Sequence, residues 1–350
     1  MEFNLADLFE IVVDQVPDRP ALVAGAVRRT YGELDERATR VAHHLQTAGV
    51  APGDHVAVLS WNRAEWLEAE LGIYKARGAV VNLNYRYVAS ELAYLLENSD
   101  AVAVLAERSF APMLVEARAD APTLRHVVVI DDGADEEVAV AALGAVDYEA
   151  AVAAASPERD FGPGSADDPY LLYTGGTTGS PKGVMWRGED IFFAALGGGG
   201  FGQPPIQTPE ELASRVSAEP TVGVVNAPMM HGGGQWVTFI SFYGGNTSVL
   251  NCDRHYDGAA VLRLAEREHA NSIMVVGDAM ARPLAEALAA PGADYDLSPL
   301  QGIGSGGAIL SKAVKESVTT TPGRRRRSSS FTAFDRIAPP DPMPCSGDRS

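Results

Sequence analysis

The chain has 350 residues, 46% of them hydrophobic and 21% charged, which is apolar content for one large core or two moderate ones and excludes disorder over most of its length. Lys and Arg number 28 against 46 Asp and Glu, a formal charge of −18, so tight contact with the backbone of a nucleic acid is excluded and small molecules are the expected partners. Two distant cysteines, Cys252 and Cys345, supply neither a disulfide framework nor a thiolate metal cluster, and a reducing, cytoplasmic setting is expected.

Met1 to Asp18 carries acids where a secretory signal needs a basic start, and no stretch approaches the roughly 20 apolar residues of a membrane span. Apolar residues recur at helical spacing over Leu5 to Val16, and again over Gly32 to Ala48 before a stop at Gly49 to Gly53. Short runs rich in Val and Leu follow at His55 to Leu59, Ala79 to Leu83, Ala101 to Leu105 and His126 to Ile130. Further strand-like runs occur at Tyr170 to Tyr173, Thr221 to Val225, Thr247 to Leu250, Ser272 to Val276 and Gln301 to Ile303, with a helix over Gly258 to Glu268. Strands alternating with helices imply an α/β fold whose mostly parallel sheets are covered by helices. Ala134 to Ala155 reads as a surface helix or loop, Gly197 to Gly200 as a solvent loop, and Glu65, Glu68 and Glu70 as a solvated helix face.

Composition changes after Val318. From Thr321 to Ser350 there are six arginines, three aspartates, five prolines and no Lys or Glu, and no apolar period survives. Residues 1–318 are expected to form the folded unit and 319–350 a disordered, non-homologous tail of the kind a shifted reading frame produces, rather than a basic docking arm.

The stretch richest in chemistry is Tyr173-Thr174-Gly175-Gly176-Thr177-Thr178-Gly179-Ser180-Pro181-Lys182-Gly183, directly after a short apolar strand. Glycines let backbone N–H groups approach phosphate oxygens, hydroxyls donate to them, and an ammonium offsets their charge. The chain has few lysines, Lys75, Lys182, Lys312 and Lys315, and one of them stands here. A P-loop kinase is excluded because Lys182 lies between Pro181 and Gly183, and an α/β-hydrolase because Ile303 occupies the position where Gly must precede Ser305. Cys252 and His255 have a metal-like separation without a second ligand pair.

Read as it stands, YTGGTTGSPKG resembles the phosphate loop of the adenylate-forming enzymes, the superfamily of acyl-CoA synthetases, peptide-synthetase adenylation domains and luciferases. Thr30 to Leu34 with Arg37-Ala38, Gly53 to Ala57, Asn62, Glu65, Lys75 to Ala79 and Leu83 to Arg86 extend the likeness, which covers roughly residues 5 to 318. The family often has Thr-Ser where this chain has Thr174-Gly175. Pro228-Met229-Met230-His231-Gly232-Gly233-Gly234 is similar to the element whose histidine lies beside the carboxylate being activated. Gly304 to Ser311 looks like the segment along the adenine and ribose, and Met229 to Trp236 looks most like fatty-acyl and sterol side-chain acyl-CoA synthetases.

The resemblance implies a large amino-terminal domain with the small carboxy-terminal domain absent. It implies a carboxylic acid, ATP, Mg2+ and CoA as ligands, Thr174, Gly175, Gly176, Thr177, Thr178, Gly179 and Lys182 around the phosphates, and Thr178 beside the metal. Gly306, Gly307 and Ala308 would lie along the nucleotide, His231 would be the catalytic residue at the acid, and a homodimer is an allowed assembly. The family's Tyr-Gly-x-Thr-Glu segment, its ribose-binding aspartate and its late catalytic lysine have no counterpart after Leu310. The expected activity is therefore ATP-dependent acyl-CoA synthesis impaired by truncation, with a non-catalytic remnant as the alternative.

Overall fold

The computed structural model describes residues 1–174, 181–200 and 202–320. From the amino terminus the chain forms α1 (Leu5–Gln15), the hairpin β1 (Pro20–Ala24) and β2 (Val27–Thr30), and α2 (Tyr31–Thr47). Strands and helices then alternate as β3 (His55–Leu59), α3 (Ala64–Lys75), β4 (Ala79–Asn82), α4 (Ala89–Asn98), β5 (Ala103–Glu107), α5 (Ala111–Ala117) and β6 (His126–Ile130). Next come α6 (Glu137–Leu143), β7 (Val146–Asp147), α7 (Tyr148–Ala154) and the antiparallel ribbon β8 (Pro169–Thr174) and β9 (Lys182–Arg187). The rest comprises α8 (Gly188–Ala195), β10 (Val222–Val225), α9 (Gly232–Tyr243), β11 (Thr247–Leu250), α10 (Gly258–Arg267), β12 (Ser272–Val275), α11 (Gly277–Ala289), β13 (Gly302–Ser305) and α12 (Lys312–Thr320).

Two sheets carry the architecture. The first has the order β13-β12-β10-β11-β1-β2 and is parallel except for the β1–β2 hairpin; the second, β4-β3-β5-β6-β7, is parallel throughout. Both sheets bury both faces, which is why their strands read as unbroken apolar runs. Side chains alternate across each strand. Val56 and Val58 of β3 enter a central layer with α1, α2, α3, α8 and α9, whereas Ala57 and Leu59 face α4 and α5 on the outside. In the first sheet Leu22 and Leu250 face the same central layer, and Val224, Ile273 and Ile303 face α10, α11 and α12. The molecule is thus five layers deep, helices and sheets in turn. Among the described residues no helix is long and apolar enough to cross a membrane.

The expected strands are present with ends shifted by one or two residues, and α2 starts at a capping box in which Thr30 Oγ1 accepts from Glu33 N while Glu33 accepts from Thr30 N. Four expectations need correction or extension. The hairpin β1–β2 and strand β9 carry no clear sequence signal, since β2 reads Val-Arg-Arg-Thr and β9 is an exposed edge beginning Lys-Gly. Ala134 to Ala155 is more than surface covering: it adds edge strand β7 to the second sheet and sends the Tyr148 ring, 1% exposed, into the interior. Gly198 and Gly199 are buried, so this run is a packed turn rather than a solvated one. Glu68 and Glu70 are both 0% exposed and Glu65 is half-buried, because α3 runs through the central layer with protein on every side. The tail residues 321–350, expected to be disordered, lie outside the described residues.

Helices α2 and α3 cross at Gly72. A Cβ there would stand 2.6 Å from Val41 Cγ1 and 2.9 Å from Ala38 O. The first contact is relieved by a side chain, but the second is backbone and moves only if the helices separate. Gly72→Ala is therefore expected to lower stability by about 1–3 kcal/mol despite the better helix propensity of alanine, read as a fall in urea midpoint at constant m-value. A midpoint at or above that of the parent chain would show that the crossing has slack.

Candidate active site

In a parallel sheet all strands end on the same side, and the loops leaving those carboxyl ends form the natural ligand crevice. Here the loops at the carboxyl ends of the two sheets meet in one crevice. The loops after β3 (Ser60 to Arg63) and β4 (Leu83 to Arg86) come from the second sheet; those after β10 (Asn226 to His231), β11 (Asn251 to Arg254), β12 and β13 come from the first. An asparagine stands at the end of four of these strands and bolts the two sets of loops together. Asn62 Nδ2 donates to Ala227 O and Asn251 O at 3.3 and 3.1 Å, while its Oδ1 accepts from Met229 N at 2.8 Å. Asn251 Nδ2 donates to Asn226 Oδ1 at 3.2 Å, and Asn226 Nδ2 donates to Met274 O at 2.8 Å. Asn82, 5% exposed, donates to Tyr173 O and Met230 O at 3.0 and 2.6 Å and accepts from Tyr173 N at 2.7 Å.

His231 emerges at the end of this clamped loop as the N-cap of α9. Its imidazole is open to solvent on one side; packed protein on the other, and then the Arg86 guanidinium, hold its pKa below the ordinary histidine value, so it is neutral at pH 7. The loop before it is also fixed from α9, where Gln235 Nε2 donates to Met229 O at 2.8 Å and Gln235 Oε1 accepts from Tyr170 Oη at 2.7 Å.

Thr174 and Lys182 are directly paired across the β8–β9 ribbon, both exposed, at the two feet of the expected phosphate loop. The feet are anchored. Tyr173 Oη donates to Asn98 Oδ1 at 2.8 Å, and Tyr94 Oη donates to Pro181 O at 3.3 Å. Gly175, Gly176, Thr177, Thr178 and Gly179, with the metal contact expected of Thr178, lie outside the described residues.

Gly306, Gly307 and Ala308 follow β13, two strands from β10 and on the same sheet edge as His231. Gly306 is buried and Gly307 and Ala308 are exposed, with Gly307 at φ +81°. They rest on the end of β12: a Cβ on Gly277 (φ +57°) would stand 2.7 Å from Ile309 O and 2.8 Å from Ala308 Cβ, so the approach requires glycine.

Between the loops of the two sheets lies a small open cleft of about 90 Å³ lined by Trp61, Asn62, Tyr85, Arg86, Pro228 and Arg254 among others. One wall is a four-layer stack. The Trp61 and Tyr85 rings lie 3.6 Å apart and 25° from parallel, with the Arg254 guanidinium 5.5 Å from the Trp61 centroid and that of Arg86 5.8 Å from the Tyr85 centroid. Behind the stack, buried Glu107 accepts from Ser60 Oγ and Trp61 N at 2.7 and 2.9 Å, and its pKa is raised by burial. The sequence singled out His231 and the phosphate loop but gave no role to the asparagines or to Arg254; the available signal was an Asn in the last position of, or within three residues after, four β runs. Cys252 and His255 form no metal site: among the described residues no three His, Cys, Asp or Glu converge.

This α/β crevice, with Thr174 and Lys182 on one lip and a neutral histidine on the other, is suited to an anionic ligand. Residues 9–327 match the family described as AMP-binding enzyme, and the chain belongs to that family. It is 42% identical over 323 residues to 3-oxocholest-4-en-26-oate–CoA ligase of Rhodococcus rhodochrous, covering 90% of this chain and 57% of that protein. It is 44% identical over 315 residues to the medium/long-chain-fatty-acid–CoA/3-oxocholest-4-en-26-oate–CoA ligase of Mycobacterium tuberculosis, covering 89% and 57%. The chain thus spans 57% of the length of these relatives. The fold is similar to that of the anthranilate CoA ligase AuaEII solved with anthranoyl-AMP (TM-score 0.76, 22% identity, covering 92% of this chain and 58% of that one). It is also similar to the amino-terminal domain of FACL13 from Mycobacterium tuberculosis (TM-score 0.73, 22% identity, 93% and 75%).

Proposed function

We propose that this chain provides the ATP- and acid-binding domain of an acyl-CoA synthetase acting on a hydrophobic carboxylic acid. In that reaction a carboxylate oxygen attacks the α-phosphorus of ATP, the bond to pyrophosphate breaks, and the thiol of CoA then displaces AMP from the acyl-adenylate to give the thioester. The observation that carries the reading is the cross-strand pairing of Thr174 with Lys182, which sets a hydroxyl and an ammonium at the two feet of the glycine- and threonine-rich loop. Two charged or hydrogen-bonding groups fixed there hold the outer phosphates and leave the α-phosphorus toward the acid.

His231, neutral at pH 7, donates one N–H to a carboxylate oxygen without quenching the nucleophile by full protonation. Arg86 and Arg254 line the adjoining cleft; Arg254 is ion-paired with Glu107 and Asp132 at 3.8 Å, and Arg86 is the cation that favours an anionic substrate there. The choice of a hydrophobic acid is taken from the names of the relatives and from Met229, Met230 and Trp236 beside His231, all buried. Mg2+ would supply charge neutralisation on the phosphates, with the Thr178 hydroxyl beside it and nucleotide and water as its other ligands. Partners are the acid, ATP and CoA.

Titration calorimetry with ATP and Mg2+ tests the reading. Lys182→Ala is expected to weaken ATP binding by about 1.5–3 kcal/mol, the contribution of a charge-assisted contact. Equal affinity of the two proteins would remove the phosphate loop from the proposal.

A further inference from the structure

We propose that Asn82 is the positioning residue that sets Thr174, the first foot of the phosphate loop, and His231 at a fixed separation, so that nucleotide and acid meet in one geometry. The inference rests on the functional reading above and deepens it. Asn82 closes β4, and its carboxamide completes three hydrogen bonds in the interior: it accepts from Tyr173 N and donates to Tyr173 O and to Met230 O. Tyr173 precedes Thr174, the first foot of the phosphate loop, and Met230 precedes His231. One rigid amide therefore touches the chain next to each lip of the crevice, from a strand that belongs to neither.

The chemistry of the contact is specific to asparagine. One acceptor and two donors are needed on a two-carbon stem; aspartate keeps an acceptor but turns both carbonyl contacts into repulsions, and leucine or alanine offers nothing. By taking both the N–H and the C=O of Tyr173, the side chain acts as one more strand residue beside β8 and stops that strand from sliding or rotating. Asn62 fixes Ala227 O and Met229 N, so the loop carrying His231 is held by the second sheet at both ends, and Asn82 is the member that also reaches β8, at Tyr173.

Asn82→Ala, the milder Asn82→Ser, Lys182→Ala and the Asn82→Ala/Lys182→Ala double variant distinguish positioning from bulk stability. Hydrogen exchange is expected to rise about tenfold together in peptides 170–174 and 227–232 of the Asn82 variants while peptide 126–130 of β6 stays unchanged. ATP affinity is expected to fall about tenfold, and the double variant to lose less than the product of the two single losses, because a displaced Lys182 has less to lose. If alanine abolishes folding, Asn82→Ser carries the same readouts with one hydroxyl in place of the amide. Exchange rising in only one of the two peptides, or a folded variant binding ATP within twofold of the parent, overturns the proposal. If the parent chain binds no ATP, the functional reading falls, and the paired exchange alone decides whether Asn82 joins the two loops.

Discussion

Glu70→Gln is expected to gain stability over the parent chain steadily as pH rises, by about 1.4 kcal/mol per unit between about pH 4.5 and 8. Glu70 is 0% exposed, only one of its oxygens is bonded, by Tyr74 Oη at 3.2 Å, and Oε2 has no partner. Burial raises its pKa from the ordinary 4.5 to about 8, so at pH 7 the folded state holds a proton that the unfolded state has released. The unfolded state then binds fewer protons than the native one, and stability declines as pH climbs through that window. The full loss approaches 5 kcal/mol. Glutamine keeps the shape and the acceptor for Tyr74 and has no proton to lose. Urea unfolding of both proteins at pH 5.5 and 7.5 checks this; a difference that does not grow with pH would mean that Glu70 is ionised in the fold.

Glu68→Ala is expected to cost about 3–5 kcal/mol at neutral pH, the penalty for leaving buried partners of a removed charge. Glu68 Oε1 accepts from Arg29 Nε at 3.1 Å, Oε2 accepts from Tyr148 Oη at 2.8 Å, and Arg37 Nε lies 2.7 Å from Oε2 as an ion pair. Alanine leaves the Tyr148 hydroxyl without an acceptor, Arg29 without its carboxylate and Arg37 with only the exposed Glu149. Adding Arg37→Met is expected to recover part of the loss, since a buried pair replaced on both sides is tolerated better than one broken. A single variant within about 1 kcal/mol of the parent would show that water enters and solvates the arginines.

These two carboxylates also mark where the sequence stops being legible. Glu65, Glu68 and Glu70 stand close together on one helix and read as solvent-facing; Arg63 pairs with Glu65 and Tyr74 with Glu70 from close by, but the groups that meet Glu68 arrive from β2, α2 and α7, up to 80 residues away. The parallel strands were readable because burial on both faces writes itself as a run of Val, Leu and Ala, as in His55 to Leu59 and His126 to Ile130. Edge elements were not, since β2 and β9 bury little and their residues answer to solvent. In the site, His231 and Lys182 stood out by residue type and motif. Asn62, Asn82, Asn226 and Asn251 act through backbone atoms of distant loops, and a residue that recognises carbonyls and amides leaves no pattern in its partners' side chains.

The position of β1 imposes an order on synthesis. The second sheet is assembled from one contiguous stretch, β3 to β7, and completes its strands as they leave the ribosome. The first cannot: β1, residues 20–24, finds its parallel neighbour only in β11, residues 247–250, and the same distant region supplies Phe242 O and Asn246 O to the Tyr31 hydroxyl and Gly245 O to Arg19. At about 5–20 residues per second, the hairpin β1–β2 waits on the order of ten to forty seconds with Leu22 and Val23 unpaired, far longer than a two-stranded ribbon stays ordered alone. Arg28 and Arg29 on β2 then have a task before the fold exists, because charge on the outer strand discourages the nascent hairpin from pairing with another chain.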